Sequence, residues 1–570
     1  MKKFIFLINL FYLCFIVDSF ANVQNEKKID IKNSLYFSNY LSGSILFNKF
    51  ETQKSHIFFQ NIRELGAFHS EFISKYIETL VINENIDEAY NYVKKLDKDL
   101  QYQYPNNLIL FVYELKKKQT QNLRFYTINK SSDVFQLELF KNLEIWLNAM
   151  NKEKEAISEK KLLSESAFKN LSLSQNAILS LYLNNDESIN KNFDLVLKNN
   201  ELSRYSFFFL NYFFEKNDLK KIEEIISKNL EKNSESLLYK QLYVDFKNKD
   251  FSKIKKFYNR NDINHGVSEL LYLFANFYQG YAQTQTSNFF LSLSNYLNPN
   301  FVSNRLLKIE NMILVDNFDE AIVDLNKIER LGSEFNWYAA FTRLKNQKDK
   351  KKIHIANLEK RLGSLNYFLE DKYFEYGIYL REDKNYKKSA EYLEKSLVTF
   401  NTKNKNKDRE WFYLYHLGIS QERGGDWEKA EKNFQKALQI SPKQAEVINY
   451  LAYSWLEKNK NLEQAKEMLI EAVELSKGRG YILDSLGWAY YMLKDYKKAE
   501  ELLFEAYEKE PTEAVIYDHY GDALWKNKKY LEARYVWQNA IKLKNIEDDL
   551  KESIKKKIIY GLDEVTNEKS

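Results

Sequence analysis

The 570-residue sequence predicts an all-α fold: a solenoid of stacked antiparallel helix pairs forming a right-handed superhelix, with no sheet. Three observations lead there. Gly (15 residues) and Pro (4 residues) fall far below ordinary usage, which leaves few of the tight turns that sheets and catalytic loops depend on. An aromatic fraction of 16% supplies large surfaces to bury, so the 29% of charged residues does not signal disorder. A short phrase, aromatic-x-x-Ala, returns at a nearly fixed interval, and a chain of this length with such a period is an elongated array. Basic and acidic residues number 85 and 80, a net charge of +5 with no long single-sign tract, so nucleic-acid binding is not suggested.

The chain opens with what reads as an export signal, residues 1–21. Lys2 and Lys3 precede an apolar run from Phe4 to Val17 that is too short to span a bilayer, and Ser19-Phe20-Ala21 is a small-x-small cleavage site. Cleavage is expected after Ala21, a retained membrane anchor being the competing reading. Cys14, the only cysteine, is preceded by Leu13 where a lipid-anchor signal wants a small residue. Cleavage would leave no thiol for disulfides, thiolate metal sites or cysteine catalysis.

The period is clearest over residues 370–545. The middle of the hinge phrase falls on Trp427, Leu462, Tyr496 and Tyr530, steps of 35, 34 and 34. Twelve residues before the phrase's alanine, thirteen in one case, stand Gly418, Ala452, Gly487 and Gly521; seven after it stand Ala437, Ala472, Ala506 and Ala540. Pro442 and Pro511 take the same slot at the end of two repeats. Small residues let two antiparallel helices approach closely, the bulky hinge residue fills the bend, and proline stops the second helix. One hairpin cannot bury its own apolar faces, so neighbours must stack.

With these residues in view, the chain resembles tetratricopeptide repeat proteins. It carries the small residues of that family's positions eight, twenty and twenty-seven, Pro at thirty-two, and bulky Phe434, Leu469, Leu503 and Trp537 at twenty-four. The repeats run over about 370–403, 411–444, 445–479, 480–513 and 514–545, with a polar insert from Asn401 to Glu410. Upstream, residues 22–369 form divergent repeats of the same kind. Asn85-Ile86-Asp87-Glu88-Ala89 and Asn317-Phe318-Asp319-Glu320-Ala321 keep the phrase, and Asp218 to Ile222 and Asp250 to Ile254 keep it with Ile for Ala. Pro105 to Leu210 shows amphipathic helices without a consensus. Residues 546–570 read as a capping helix and tail, with Leu550, Ile554 and Ile558 at helical spacing.

Catalytic groupings are not found. There is no phosphate loop, no His-Glu-x-x-His helix and no nucleophile elbow, and Gly478-Arg479-Gly480 reads as a repeat-ending turn. Six histidines are scattered. Asp518-His519 with Asp522 is the sharpest grouping, open to a metal or acid-base reading. The plain alternative is that the two aspartates share a helix face while His519 turns away. No enzyme activity, cofactor or metal is expected.

The resemblance implies that first-helix positions two, five, nine, twelve and thirteen line an inner groove. On this register they include Asn449 and Tyr453, then Asp484, Trp488 and Tyr491, then Asp518, Asp522 and Trp525. They are expected to form one acidic and aromatic patch holding a basic or amphipathic protein segment; solvated polar positions are the alternative. Carboxylate-tail binding, known in the family, is disfavoured by the aspartates. The wording around Ile448–Trp455, Asp484–Tyr491 and Asp518–Trp525 resembles exported proteobacterial repeat proteins, including periplasmic protease adaptors. What that resemblance implies is a periplasmic scaffold or adaptor in a Gram-negative bacterium, possible peripheral association with the outer membrane included. A part in envelope assembly or polysaccharide export is the alternative, and the oligomeric state is left open.

Overall fold

In a computed structural model the described residues are 34–67, 69–127, 133–151, 169–403 and 407–562. The expected leader, its cleavage site and Cys14 lie outside them. Among the described residues there is helix and turn but no strand, and no helix is long and apolar enough to cross a membrane. The chain divides into two compact units, Met1–Gly363 and Ser364–Ser570.

Both units are built on one kind of turn. Where a first helix ends, a residue with positive φ closes it: Phe50, Glu84, Lys118, Asn184, Asn217, Lys249, Ala282 and Asp316 in the first unit, and Lys384, Gly425, Asn459, Lys494 and Lys528 in the second. Each closes two backbone bonds of the kind seen at Lys494, whose N–H donates to the Tyr491 carbonyl (3.0 Å) while Asp495 N–H donates to Tyr490 (2.9 Å). At most of these closures the residue that follows caps the second helix. Asp218, Asp426 and Asp495 each accept a bond from the backbone N–H three residues on. The hinge phrase of the sequence is therefore an N-cap followed by a first turn.

The second unit runs as α1 (Leu369–Glu382), α2 (Tyr386–Lys403), α3 (Glu410–Arg423), α4 (Trp427–Ile440), α5 (Ala445–Glu457), α6 (Leu462–Ser476), α7 (Gly480–Met492), α8 (Tyr496–Lys509), α9 (Ala514–Lys526), α10 (Tyr530–Ala540) and α11 (Asp548–Tyr560). Pairs α1/α2 to α9/α10 pack within themselves and against the next pair. The small residue of each first helix faces the bulky one of its partner. A Cβ on Gly487 would lie 2.6 Å from Leu503, and one on Gly521 2.2 Å from Trp537. Ala499, Ala506, Ala533 and Ala540 are buried on the facing helices. At 478 the expected turn is present, with Lys477 and Gly478 both left-handed.

The first unit keeps the register but changes what fills it. Twelve residues before Ala89, Ile222 and Ala321 stand Ile77, Leu210 and Ile309, all buried where the second unit has Gly or Ala. Its pairs also pack on pairs far away in sequence. Thr284–Leu297 lies against Ser70–Ile82 and Asn106–Lys116, and Val134–Met150 against Ile263–Gly280. Lys116 Nζ donates to the Leu297 carbonyl (2.7 Å), and Asn317 Nδ2 to that of Phe50 (2.9 Å). Trp146, fully buried, occupies the space a Cβ on Gly266 would need. Arg204 pairs through both terminal nitrogens with the buried Glu269, its guanidinium 4.5 Å from the Tyr272 ring centre. The nearest-neighbour stack expected from the period thus describes the second unit. In the first unit, contacts between distant pairs are added to it, because larger side chains on both faces of a pair must be buried by more than its sequence neighbours.

Candidate partner-binding face of the second unit

Helices α5, α7 and α9 lie side by side, α5 on α7 and α7 on α9. Residues one period apart are thereby brought into register, and those four apart share a helix face. The expected residues fall along this surface, but the structure sorts them into two kinds.

The aspartates are interior. Asp484, Asp518 and Asp522 are 6%, 8% and 4% exposed, so the carboxylates do not face a partner, against the expectation from sequence. His519 Nδ1 donates to both oxygens of Asp484, at 2.9 and 3.1 Å. Lys557 of α11 donates to Asp518 (2.8 Å) and to Asp522 (2.8 Å). Buried charge is tolerated only when paired and hydrogen-bonded, and each of these is. Asp518 and Asp522 do share a face while His519 turns from it. It turns toward an acid one period back, and the cation between the two aspartates comes from α11. The links Asp484–His519 and Asp522–Lys557 both span 35 residues, so one acid-to-base tie is used twice to hold successive first helices together.

The titration of the group follows its burial. Burial works against the His519 cation, but Asp484 beside it prevails and raises its pKa. Burial, then the neighbouring Asp518 charge, pushes Asp522 up to about 7 against the opposing pull of Lys557. Burial works against the Lys557 ammonium too, and Asp522 and Asp518 more than restore it, so its pKa is raised.

The aromatic residues are half-buried. The Trp488 ring stacks on Tyr491 (4.5 Å between centroids, 7° between planes) and on His519 (4.1 Å, 18°). The Asp484–His519 tie therefore also fixes the position of Trp488. Tyr453 sits one repeat back, its phenol pushed well up by burial and then by Glu457 and Asp484. Asn449 keeps a buried Oδ1 with no hydrogen-bond partner among the described residues. Trp525 carries the Arg534 guanidinium 4.9 Å from its ring centre, and Gly561, at φ +83°, passes so close that a Cβ there would lie 2.3 Å from that ring. Among the described residues no three His, Cys, Asp or Glu side chains gather so as to hold a metal ion.

Residues 411–444 match the family model of the tetratricopeptide repeat. No curated protein matches the chain. Solved structures with similar helix pairs include MamA, residues 41 to the end, from Desulfovibrio magneticus RS-1 (19% identity, TM-score 0.26, 31% of this chain and 97% of that one). TTC0263, a thermophilic TPR protein of Thermus thermophilus, gives 19% identity and a TM-score of 0.29 over 33% of this chain and 97% of its own. Pseudomonas aeruginosa pilF gives 18% and 0.28 over 35% and 96%. Similarity this low carries no argument about function. The fold class, an all-α array of tetratricopeptide-type helix pairs, rests on the period, the turn geometry and the matched repeat.

Proposed function

We propose that the protein is a non-enzymatic scaffold or adaptor of the cell envelope, exported by residues 1–21, that holds a protein partner on the first-helix face of its second unit. The carrying observation is the half-buried aromatic column Tyr453, Trp488, Tyr491 and Trp525, held in place by buried ties one period apart. Rigid aromatic side chains supply contact area at low entropic cost. The aspartates support the column instead of meeting the partner. An envelope protease or its substrate fits an adaptor of this kind; assembly or polysaccharide-export machinery is the alternative partner class.

The test is capture from envelope extract with Trp488→Ala beside the wild type, bound proteins being identified by mass spectrometry and folding checked by circular dichroism. A half-buried anchor of this size is expected to contribute about 1–3 kcal/mol, a loss of roughly fivefold to 150-fold in affinity. Equal capture of every protein by a folded variant would remove the reading. The identity of what is lost then separates a protease from assembly or export components.

A further inference from the structure

The helix Ser34–Asn48, the first described element of the first unit, carries an apolar line on its outer side. Its fifteen residues include no Asp, Glu, Lys or Arg, in a chain that is 29% charged. Thr284–Leu297 is free of charge as well, and it is buried, packed against Ser70–Ile82, Asn106–Lys116, Ile263–Gly280 and Val302–Leu314. Ser34–Asn48 packs on Thr52–Gln60 and Ser70–Ile82. Away from them Phe37, Leu41 and Ile45, four residues apart and so in one line along the helix, are 65%, 43% and 46% exposed.

The repeat register identifies this line. Gly43, Ser55 and Phe59 have the spacing of Gly487, Ala499 and Leu503 and of Gly521, Ala533 and Trp537, which sets Leu41 and Ile45 at the positions of Ser485 and Ala489 in α7 and of His519 and Ala523 in α9. All four of those residues are buried. Ala523 shares an apolar cluster with Ala499 and Leu503 of α8, the second helix of the preceding repeat, and α7 packs on α6 in the same way. The line is therefore the side on which a preceding second helix packs, and among the described residues none precedes Ser34. A first helix can be polar there: α1 has Asp371 and Glu375 at the positions of Phe37 and Leu41. The end of a repeat array is ordinarily closed by a polar outer face, and Ser34–Asn48 lacks one.

We infer that a second copy of this chain covers the line, the two Ser34–Asn48 helices packing antiparallel across a twofold axis so that Leu41, at the midpoint, meets its own counterpart. Antiparallel is also the direction in which a second helix runs against the first helix that follows it. A twofold contact sets a surface against itself, and a surface without charge does so with neither like-charge repulsion nor ions stripped of water. Other occupants match the chemistry less well. An interfacial helix holds lipid headgroups through Lys and Arg on its polar face, and this helix has neither. The outer side of α11, with Glu552, Lys555 and Lys556 exposed, would lose water against an uncharged line and gain no partner. Residues 22–33 include Glu26, Lys27, Lys28, Asp30 and Lys32, a composition unlike that of an apolar covering helix.

The experiment is sedimentation velocity on the mature full-length chain over a concentration series, in which the mass is expected to rise from one chain toward two. Phe37→Asp/Leu41→Glu puts the residues of α1 at the same positions of an exposed face, and is expected to weaken the dimer by about tenfold or more with helical content unchanged by circular dichroism. Leu531→Asp/Tyr535→Glu, on exposed apolar positions of α10, is expected to stay within about twofold of wild type. The mature chain starts after Cys14, so Leu41→Cys supplies its single thiol. Under copper–phenanthroline that variant is expected to give a disulfide-linked pair of chains, and Tyr535→Cys to give none. A single chain at every concentration overturns the inference, as does a dimer that both acidic pairs weaken equally. Flotation of the wild type on phosphatidylethanolamine–phosphatidylglycerol vesicles, lost in Phe37→Asp/Leu41→Glu and without a dimer in solution, would give the line to lipid and overturn it too. A dimer in which Leu41→Cys fails to cross-link would overturn the twofold pairing of these helices.

Discussion

The two units share a turn and differ in what stands beside it. Left-handed closures at Glu84 and Lys118 in the first unit are made as they are at Lys494 and Lys528 in the second, 34 residues apart in both cases. Side chains are used differently. The second unit holds its paired helices close with Gly or Ala opposite a bulky partner, and so needs only its neighbours in sequence. In the first, Ile77, Leu210 and Ile309 fill the same positions, and distant pairs fold back on one another. A repeat can therefore keep its backbone geometry while losing both its consensus and its one-dimensional packing.

The largest effects expected should show this difference directly. Gly487→Leu has no space to enter, and the overpacking is expected to cost about 3 kcal/mol; Ile309→Ala leaves a cavity at a similar cost, about 3 kcal/mol. What separates them is where protection from hydrogen exchange is lost. In the Gly487 variant the loss should stay within α5 to α10, since each pair touches only its neighbours. In the Ile309 variant it should reach Ser70–Ile82 through Thr284–Leu297. Loss confined to Val302–Ile328 would show the first unit to be an ordinary linear array.

This contrast also explains what could be read in the sequence. Gly418, Gly487 and Gly521 are legible because only a small residue fits opposite Phe434, Leu503 or Trp537. The first unit hides its period because Ile77, Leu210 and Ile309 stand where small residues would mark it, and its turns do not mark it either, being closed by backbone bonds that Glu84, Asn184 and Lys249 make equally well. One pair of the first unit keeps the consensus, beginning in Tyr40-Leu41-Ser42-Gly43. Gly43, Ser55 and Phe59 stand at the spacing of Gly377, Ser389 and Leu393, and in both triplets the Ser hydroxyl donates to the Gly carbonyl, at 2.8 and 2.7 Å. The register placed the aspartates on the correct helices and at their correct intervals. It missed that they were spoken for, because Lys557 sits beyond the last clear repeat, and only the shared 35-residue interval of Asp484–His519 and Asp522–Lys557 marks it.

Two buried charge clusters, one in each unit, respond oppositely to pH. In the first, burial acts to raise the Asp324 pKa, but Lys308, Lys327 and Arg305 outweigh it and hold it low, so its contribution to stability is present at neutral pH and is lost as pH falls below about 4. At the end of the second, Asp522 is raised to about 7 and His519 is raised as well. The folded state then binds more protons than the unfolded chain between about pH 4 and 7 for Asp522, and from about 6.5 upward for His519, so stability falls as pH rises through those windows. Lys557, raised above 10.5, adds to the loss only in strong alkali. Hydrogen exchange in α11, corrected for its intrinsic pH dependence, is expected to be slower by on the order of tenfold at pH 5 than at pH 8. Asp522→Asn should remove much of that difference. A flat profile in the wild type would mean that Ile554 and Leu562 hold α11 by packing and that the buried charges only tolerate one another.

The smallest effect comes from the hydrogen bond the two units share. Ser55→Ala removes a donor to the Gly43 carbonyl, but that carbonyl lies inside the Ser34–Asn48 helix and keeps its helical partner. Ala is also the better helix former, and it is the residue at the equivalent buried positions Ala430, Ala465, Ala499 and Ala533. The change should therefore alter stability by no more than about 0.5 kcal/mol. Ser389 differs in one respect: its hydroxyl also lies 2.9 Å from Ser420 Oγ, which is buried on the next first helix. Ser389→Ala strands that second hydroxyl and should cost about 1 kcal/mol, with the loss of protection shared between α2 and α3. Ser389→Ala/Ser420→Ala should recover part of it, since removing both partners leaves nothing unsatisfied. Equal costs for Ser55→Ala and Ser389→Ala, with no recovery in the double variant, would place the energy in the bond to the glycine carbonyl and make the two units alike at this position, against the contrast drawn from their packing.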